Sequence, residues 1–140
     1  MVNVSNKLMN AWYSLLNGNV NVPVYRVDAP PDATDYVVIR PESNSDRSNN
    51  SKFGTSEVII TEVVTRFDSA ELINDTAAHD IDSLIANLVL PTPSNHALPV
   101  QGGIQVVSIK RQDQQTIPED DGVNRYYRVV TRNIHRVTQQ

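Results

Sequence analysis

Apolar positions recur along this chain with two different periods. Leu8, Trp12, Leu15 and Leu16 fall at i, i+4, i+7 and i+8, which places them on one face of an N-terminal helix. Asn3 or Ser5 can cap its start, and Asn17-Gly18 supplies a stop. A second stripe, Ala77, Ile81, Leu84, Ile85 and Leu88, predicts a helix over roughly Thr76 to Leu90. Asp75 is its expected N-cap and Pro91 ends it. On this reading Leu84 and Leu88 face the core.

Elsewhere the period is two. Val22 to Val27 and Tyr36 to Arg40 are short strands, and Pro23 near the start of the first suggests a sheet edge, where a missing N–H is tolerated. Glu57 to Phe67 is the strongest strand. Its alternate residues Ile59, Thr61, Val63, Thr65 and Phe67 carry no charge and make the expected core face; Val58, Ile60, Glu62, Val64 and Arg66 make the other. Ile104 to Arg111 and a stretch within Asn124 to Val137 complete the set. The order is α-β-β-β-α-β-β. It predicts an α+β fold, a mostly antiparallel sheet of about five strands with both helices on one face.

Two segments break the periodicity. Residues 42–56 (ESNSDRSNNSKFGTS) are almost wholly polar and read as a mobile loop, ordered only against a neighbour. Residues 112–122 (QDQQTIPEDDG) read as a long hairpin loop ending in a turn glycine. With 140 residues and no repeat, the chain is expected to form one domain spanning 1–140.

Composition narrows the chemistry. The chain has no cysteine, which excludes disulfides, thiolate nucleophiles and zinc–thiolate sites. No stretch approaches the roughly 18 apolar residues of a membrane span, and the first ten residues lack the apolar core of a signal peptide. A net charge of −4 argues against nonspecific coating of nucleic acid. No nucleophile elbow, phosphate-cradling glycine loop, HExxH or EF-hand pattern occurs. His79, Asp80 and Asp82 lie close together on the second helix, but only His79 and Asp82, one turn apart, could share a metal; two ligands make no metal site, and the group reads as a solvated face. His96 sits in a proline-rich loop and His135 among arginines. Glu119-Asp120-Asp121 reads as a solvated loop tip. No enzyme, cofactor or metal is expected.

The charge is unevenly placed. Val123 to Gln140 holds Arg125, Arg128, Arg132 and Arg136 and no acid. On a strand, Tyr126, Arg128, Arg132 and Arg136 share one face. Three readings compete for this stripe. It is a groove for a nucleic-acid strand, an edge protected by charge, or a protein interface. The abundance of arginine over lysine favours the interface, because arginine is enriched and lysine depleted there. Asp28, Asp32 and Asp35 of an adjacent copy are candidate partners for it.

The layout resembles the tail-completion, or tail-terminator, family of long-tailed bacteriophages. The resemblance rests on the short N-terminal helix, the VPVYRVDAP segment (Val22 to Pro30) and the YVVI strand (Tyr36 to Ile39). A polar loop, the long strand, the second helix and a final hairpin from Ile104 to Val137 follow in the family's order. The resemblance implies a structural virion protein, made in the host cytoplasm, that forms a six-membered ring on the tail tube. Such a ring meets copies of itself, the tail tube protein and head–tail connector proteins, and DNA passes its lumen without sequence-specific binding. The alternatives are another neck or tail-tube ring protein of the same fold, and a nucleic-acid-binding module that uses the arginine stripe.

Overall fold

The computed structural model describes residues 3–42, 55–68 and 70–139. The elements follow the predicted order: α1 (Val4–Leu16), β1 (Val24–Arg26), β2 (Tyr36–Pro41), β3 (Thr55–Asp68), α2 (Thr76–Val89), β4 (Ile104–Asp120) and β5 (Asn124–Gln139). The strands form one sheet in the order β1-β2-β3-β5-β4. Among the described residues only β1 and β2 run parallel; the other three pairings are antiparallel. β1 is an edge, where Pro23 costs the ladder nothing.

β3 and β5 pair without interruption from Thr55↔Val137 to Asp68↔Asn124. That register sends Ile59, Thr61, Val63, Thr65 and Phe67 to one face together with Val129, Thr131, Asn133, His135 and Val137. All ten are buried. Both helices pack on this face. From α1 come Leu8, Trp12 and Leu16, each fully buried, with Val4, Met9 and Ala11 beside them. Asn3 caps α1 by accepting from the Asn6 N–H at 3.0 Å. Gly18, at φ 86°, takes the left-handed conformation that the chain needs just past the helix end.

α2 is rotated from the predicted stripe. Its buried residues are Ala78, Ile81, Asp82, Ile85 and Val89, whereas Ala77 is exposed, Leu84 is 36% exposed and Leu88 half-buried. The expectation that Leu84 faces the core is therefore overturned. The cause is polar. Asp82 turns inward because Arg111 of β4 waits beneath it, and the Arg111 Nη2 lies 2.7 Å from Asp82 Oδ1. The same guanidinium donates through Nε to Asn133 Oδ1 at 2.8 Å, and Gln114 Nε2 donates to Asp82 Oδ2 at 2.9 Å. A hydrophobicity count cannot see that an aspartate will be buried by an ion pair. Nor does Asp75 cap the helix: it has helical dihedrals and no capping bond, and Asn74 Oδ1 accepts from the Thr76 N–H instead.

The predicted hairpin loop 112–122 is also corrected. Residues 112–120 belong to β4, and the turn shrinks to Asp121–Val123 with Gly122 at φ 88°. Asp121 Oδ1 closes it by accepting from the N–H groups of Val123 and Asn124. A polar sequence is compatible with this strand because β4 is the outer strand of the sheet, with one backbone edge in solvent. Charge and Pro118 protect such an edge. Two register shifts, after Val106 and after Gln112, let β4 keep Ile104, Val106, Ile109 and Arg111 on the helix side despite its irregular alternation. Of the predicted loop 42–56, residues 43–54 lie outside the described residues. Its ends are structured: the Glu42 N–H donates to the Val58 carbonyl, and Ser56 pairs in register with Arg136.

His135 ties α1 to the sheet. Its ring is fully buried; Nε2 accepts from the Trp12 indole N–H at 2.7 Å, and Nδ1–H donates to the Glu57 carbonyl at 3.0 Å. That geometry needs the neutral ring. Burial pushes the His135 pKa from 6.5 down to about 4, against the raising effect of its hydrogen bond to the Glu57 carbonyl.

Two outcomes follow from this packing. Ile85→Ala should cost about 2–5 kcal/mol, and Leu84→Ala about 1 kcal/mol or less, as read by urea unfolding; equal losses would show that α2 is seated differently. A histidine depressed in the folded state leaves the unfolded chain binding more protons between the two pKa values. Its contribution is intact above about pH 6.5 and shrinks as pH falls towards 4, by at most about 3 kcal/mol. The stability gap between wild type and His135→Gln should accordingly narrow from pH 7 to pH 4, followed by fluorescence of Trp12, the single tryptophan.

Candidate interface on the open face of the sheet

The alternation that buries one face of β3 and β5 presents the other. Among the described residues no helix covers this second face. Its residues stand in cross-strand rows set by the register. Tyr36, Val64, Arg128 and Ile117 form one row; Val38, Glu62, Val130 and Gln115 the next; Arg40, Ile60, Arg132 and Gln112 the third. Tyr126 stands beside Arg66 and Glu119, and Arg136 beside Ser56 and Ser108. The predicted set Tyr126, Arg128, Arg132 and Arg136 is thus brought onto one face, as the spacing requires.

The structure adds what surrounds the set. Arg128 Nη1 meets Glu62 Oε1 at 2.7 Å and its Nε meets Glu119 Oε2 at 2.7 Å. Arg40 reaches the other oxygen of Glu62 at 2.5 Å. Arg132 forks onto Glu42, with Nε–Oε1 and Nη2–Oε2 both 2.9 Å, and sends Nη1 to Asp113 at 2.8 Å. The Arg128 guanidinium also lies 5.5 Å from the centre of the Tyr126 ring. Burial acts to lower the Arg128 pKa, but the hydrogen bonds and charges of Glu62 and Glu119 more than reverse it. Glu42 and then Asp113 hold Arg132 above its ordinary value in the same way. Both cations are permanent.

Arg128 and Arg132 therefore meet acids of their own chain, carried by neighbouring strands and by residue 42. The C-terminal segment alone contains none, so the sequence distance hid them. One signal was present: Glu62 sits on the charged face of the EVIITEVVTRF strand, opposite the arginines once that strand pairs with β5. Arg136 differs. It is exposed and has no ion pair among the described residues. Val64 and Val38 are buried on this face although no helix lies over them. Val64 is flanked in register by Tyr36 and Arg128, whose long side chains shield it.

Other candidates from the sequence are dispersed. His79 Nε2 lies 3.2 Å from the Tyr127 hydroxyl, and Asp82 is taken by Arg111. His96 donates to the Val106 carbonyl through Nε2 and accepts from the Leu98 N–H through Nδ1. Among the described residues no group of three or more histidines and acids is placed to hold a metal, and no helix is long and apolar enough to cross a membrane.

No protein-family model and no curated protein matches the chain. Among solved structures, the fold is similar to a chain of the virion of a native gene transfer agent particle. The TM-score is 0.66 at 20% identity, over 97% of this chain and 99% of that one. At that identity the likeness speaks for a shared fold. A second solved chain, 14% identical over 95% of this chain and 89% of its own, reaches a TM-score of 0.43.

The ion ladder generates one expectation. Arg128→Glu places a third carboxylate between Glu62 and Glu119 and should lower stability by about 1–2 kcal/mol, since each partly exposed pair is worth about 0–1 kcal/mol and like charges across strands repel. Arg136→Glu should leave stability within about 0.5 kcal/mol of wild type. Thermal unfolding at low and high salt checks both, and the Arg128→Glu deficit should shrink with salt.

Proposed function

We propose that this chain is a structural virion protein, a ring-forming tail-terminator or tail-completion subunit. In this reading it caps the tail tube and joins it to the head-side connector. The observation that carries it is the likeness of the whole fold, nearly end to end on both sides, to a chain found in the virion of a gene transfer agent. The sequence order of the terminator family points the same way. The open sheet face adds a physical reason. It is large and rich in tyrosine and arginine, with carboxylates arrayed between them, which suits contact with other subunits better than solvent alone.

On this reading Tyr126, Arg128, Arg132 and Arg136 belong to a subunit or partner interface, and the partners are further copies, tail tube protein and connector proteins. DNA passes through the lumen unread. The role needs no active site, cofactor or metal. The intramolecular pairing of Arg128 and Arg132 counts against the alternative of a nucleic-acid module, because a phosphate strand would meet a nearly compensated ladder.

Sedimentation velocity and electron microscopy of the purified protein, alone and mixed with tail tubes, test the proposal. Six-membered rings that seat on tube ends are expected. A protein that stays monomeric at every concentration and ignores the tubes, yet binds oligonucleotides with a steep salt dependence, would make the nucleic-acid module the better reading.

A further inference from the structure

The long β3–β5–β4 ribbon has two unlike ends. β5 has 16 residues and at about 3.3 Å per residue spans about 50 Å. At the turn end, Asp68, Glu71, Glu119, Asp120 and Asp121 are all exposed. The Arg125 side chain, which donates to the Glu71 carbonyl at 2.7 Å, draws the loop after β3 onto this end. Two apolar side chains project there: Leu72 is 85% exposed and Val123 73%. Nothing in the core needs either of them.

The opposite end is basic and concave. Arg136 and Lys110 are exposed on the open face, within the last six residues of β5 and its β4 partner stretch. On the helix side of the same end, the loop before β4 leans over the strand through the His96–Val106 bond. Beneath it lies a cleft of about 340 Å³, lined by Leu98, Pro99, Ile104 and Val106 among others. Val100 and Val107 stand 92% and 52% exposed at this end.

An acidic end with projecting apolar side chains and a basic end with an apolar cleft are complementary. They cannot meet within one chain, because they sit at opposite ends of a stiff ribbon. We infer that the acidic turn end of one copy docks on the basic cleft end of a second copy of this chain, with Leu72 or Val123 filling the cleft. The contact is head-to-tail, so it uses two different patches and repeats from copy to copy. Such a contact closes into a ring or runs on as a filament. The inference rests on the assembly proposed above and specifies which surfaces meet.

A charge swap tests it. Asp68→Lys/Glu71→Lys/Asp120→Lys turns three of the five acids at one end into lysines, and Lys110→Glu/Arg136→Glu makes the other end acidic; all five residues are exposed. Circular dichroism checks that each variant is folded. Light scattering should show each variant associating at least about tenfold more weakly than wild type, and an equimolar mixture of the two recovering most of the loss. In the mixture, every junction pairs opposite charges again. A third variant, Leu72→Ser/Val123→Ser, should weaken association without changing its salt dependence. If wild type associates and both charge variants associate equally well, or if mixing recovers nothing, the docking surfaces lie elsewhere while the ring reading stands. If wild type does not associate at all, the ring reading falls first, and this inference with it.

Discussion

The continuous antiparallel ladder between β3 and β5 is the constraint on which the rest of the molecule depends. Fourteen residues of β3 face β5 without a bulge. Because side chains alternate with period two, this one register decides both faces of the sheet at once. Val63 opposite Val129 and Thr61 opposite Thr131 build the floor for the helices, and on the reverse side Glu62 comes within reach of Arg128. A slip of β5 by one residue against β3 would turn Arg128 and Arg132 to the helix side and Val129, Thr131 and Asn133 to the open face. The charged face thus helps to specify the fold whether or not it also meets a partner. Its arginines and glutamates make the wrong register expensive.

The helices are seated on that floor by polar contacts as much as by apolar ones. Trp12 of α1 donates to His135 of β5 in the buried interior, and Asp82 of α2 meets Arg111 of β4 with Asn133 and Gln114 closing the network. Neither pair is a large source of net stability, because each group gives up water to form it. Their effect is on geometry. A buried aspartate without its arginine is costly, so α2 has one rotation in which Asp82 is satisfied. That rotation carries Leu84 out to the surface. An indole N–H without an acceptor is costly in the same way, so α1 has one position along β5.

The two edges of the sheet are treated differently. β1 is three residues long and begins after a proline, which leaves little backbone for another strand to pair with. β4 is 17 residues long and exposed, and it is guarded by two register shifts, Pro118 and acids in its distal half. This is how a long edge avoids indiscriminate pairing. The same acids make the turn end of the ribbon electrostatically distinct from the end that carries Lys110 and Arg136. The molecule therefore has a direction along the ribbon, which a subunit of a head-to-tail assembly requires.

Local pattern alone determined much of this. The order of elements, the limits of both helices, the core face of β3 and the common face of Tyr126, Arg128, Arg132 and Arg136 all follow from spacing, because period and turn chemistry act between near neighbours in the chain. Tertiary structure decided the rest. The inward turn of Asp82 and the acids that meet Arg128 and Arg132 depend on partners 9 to 90 residues away in sequence, and the extension of β4 through a stretch that reads as loop depends on its pairing with β5. Polar residues have no fixed place in a hydrophobic pattern. Whether one is buried, paired or solvated is set by the group that the fold brings opposite it, and that group is not named by its neighbours in the chain.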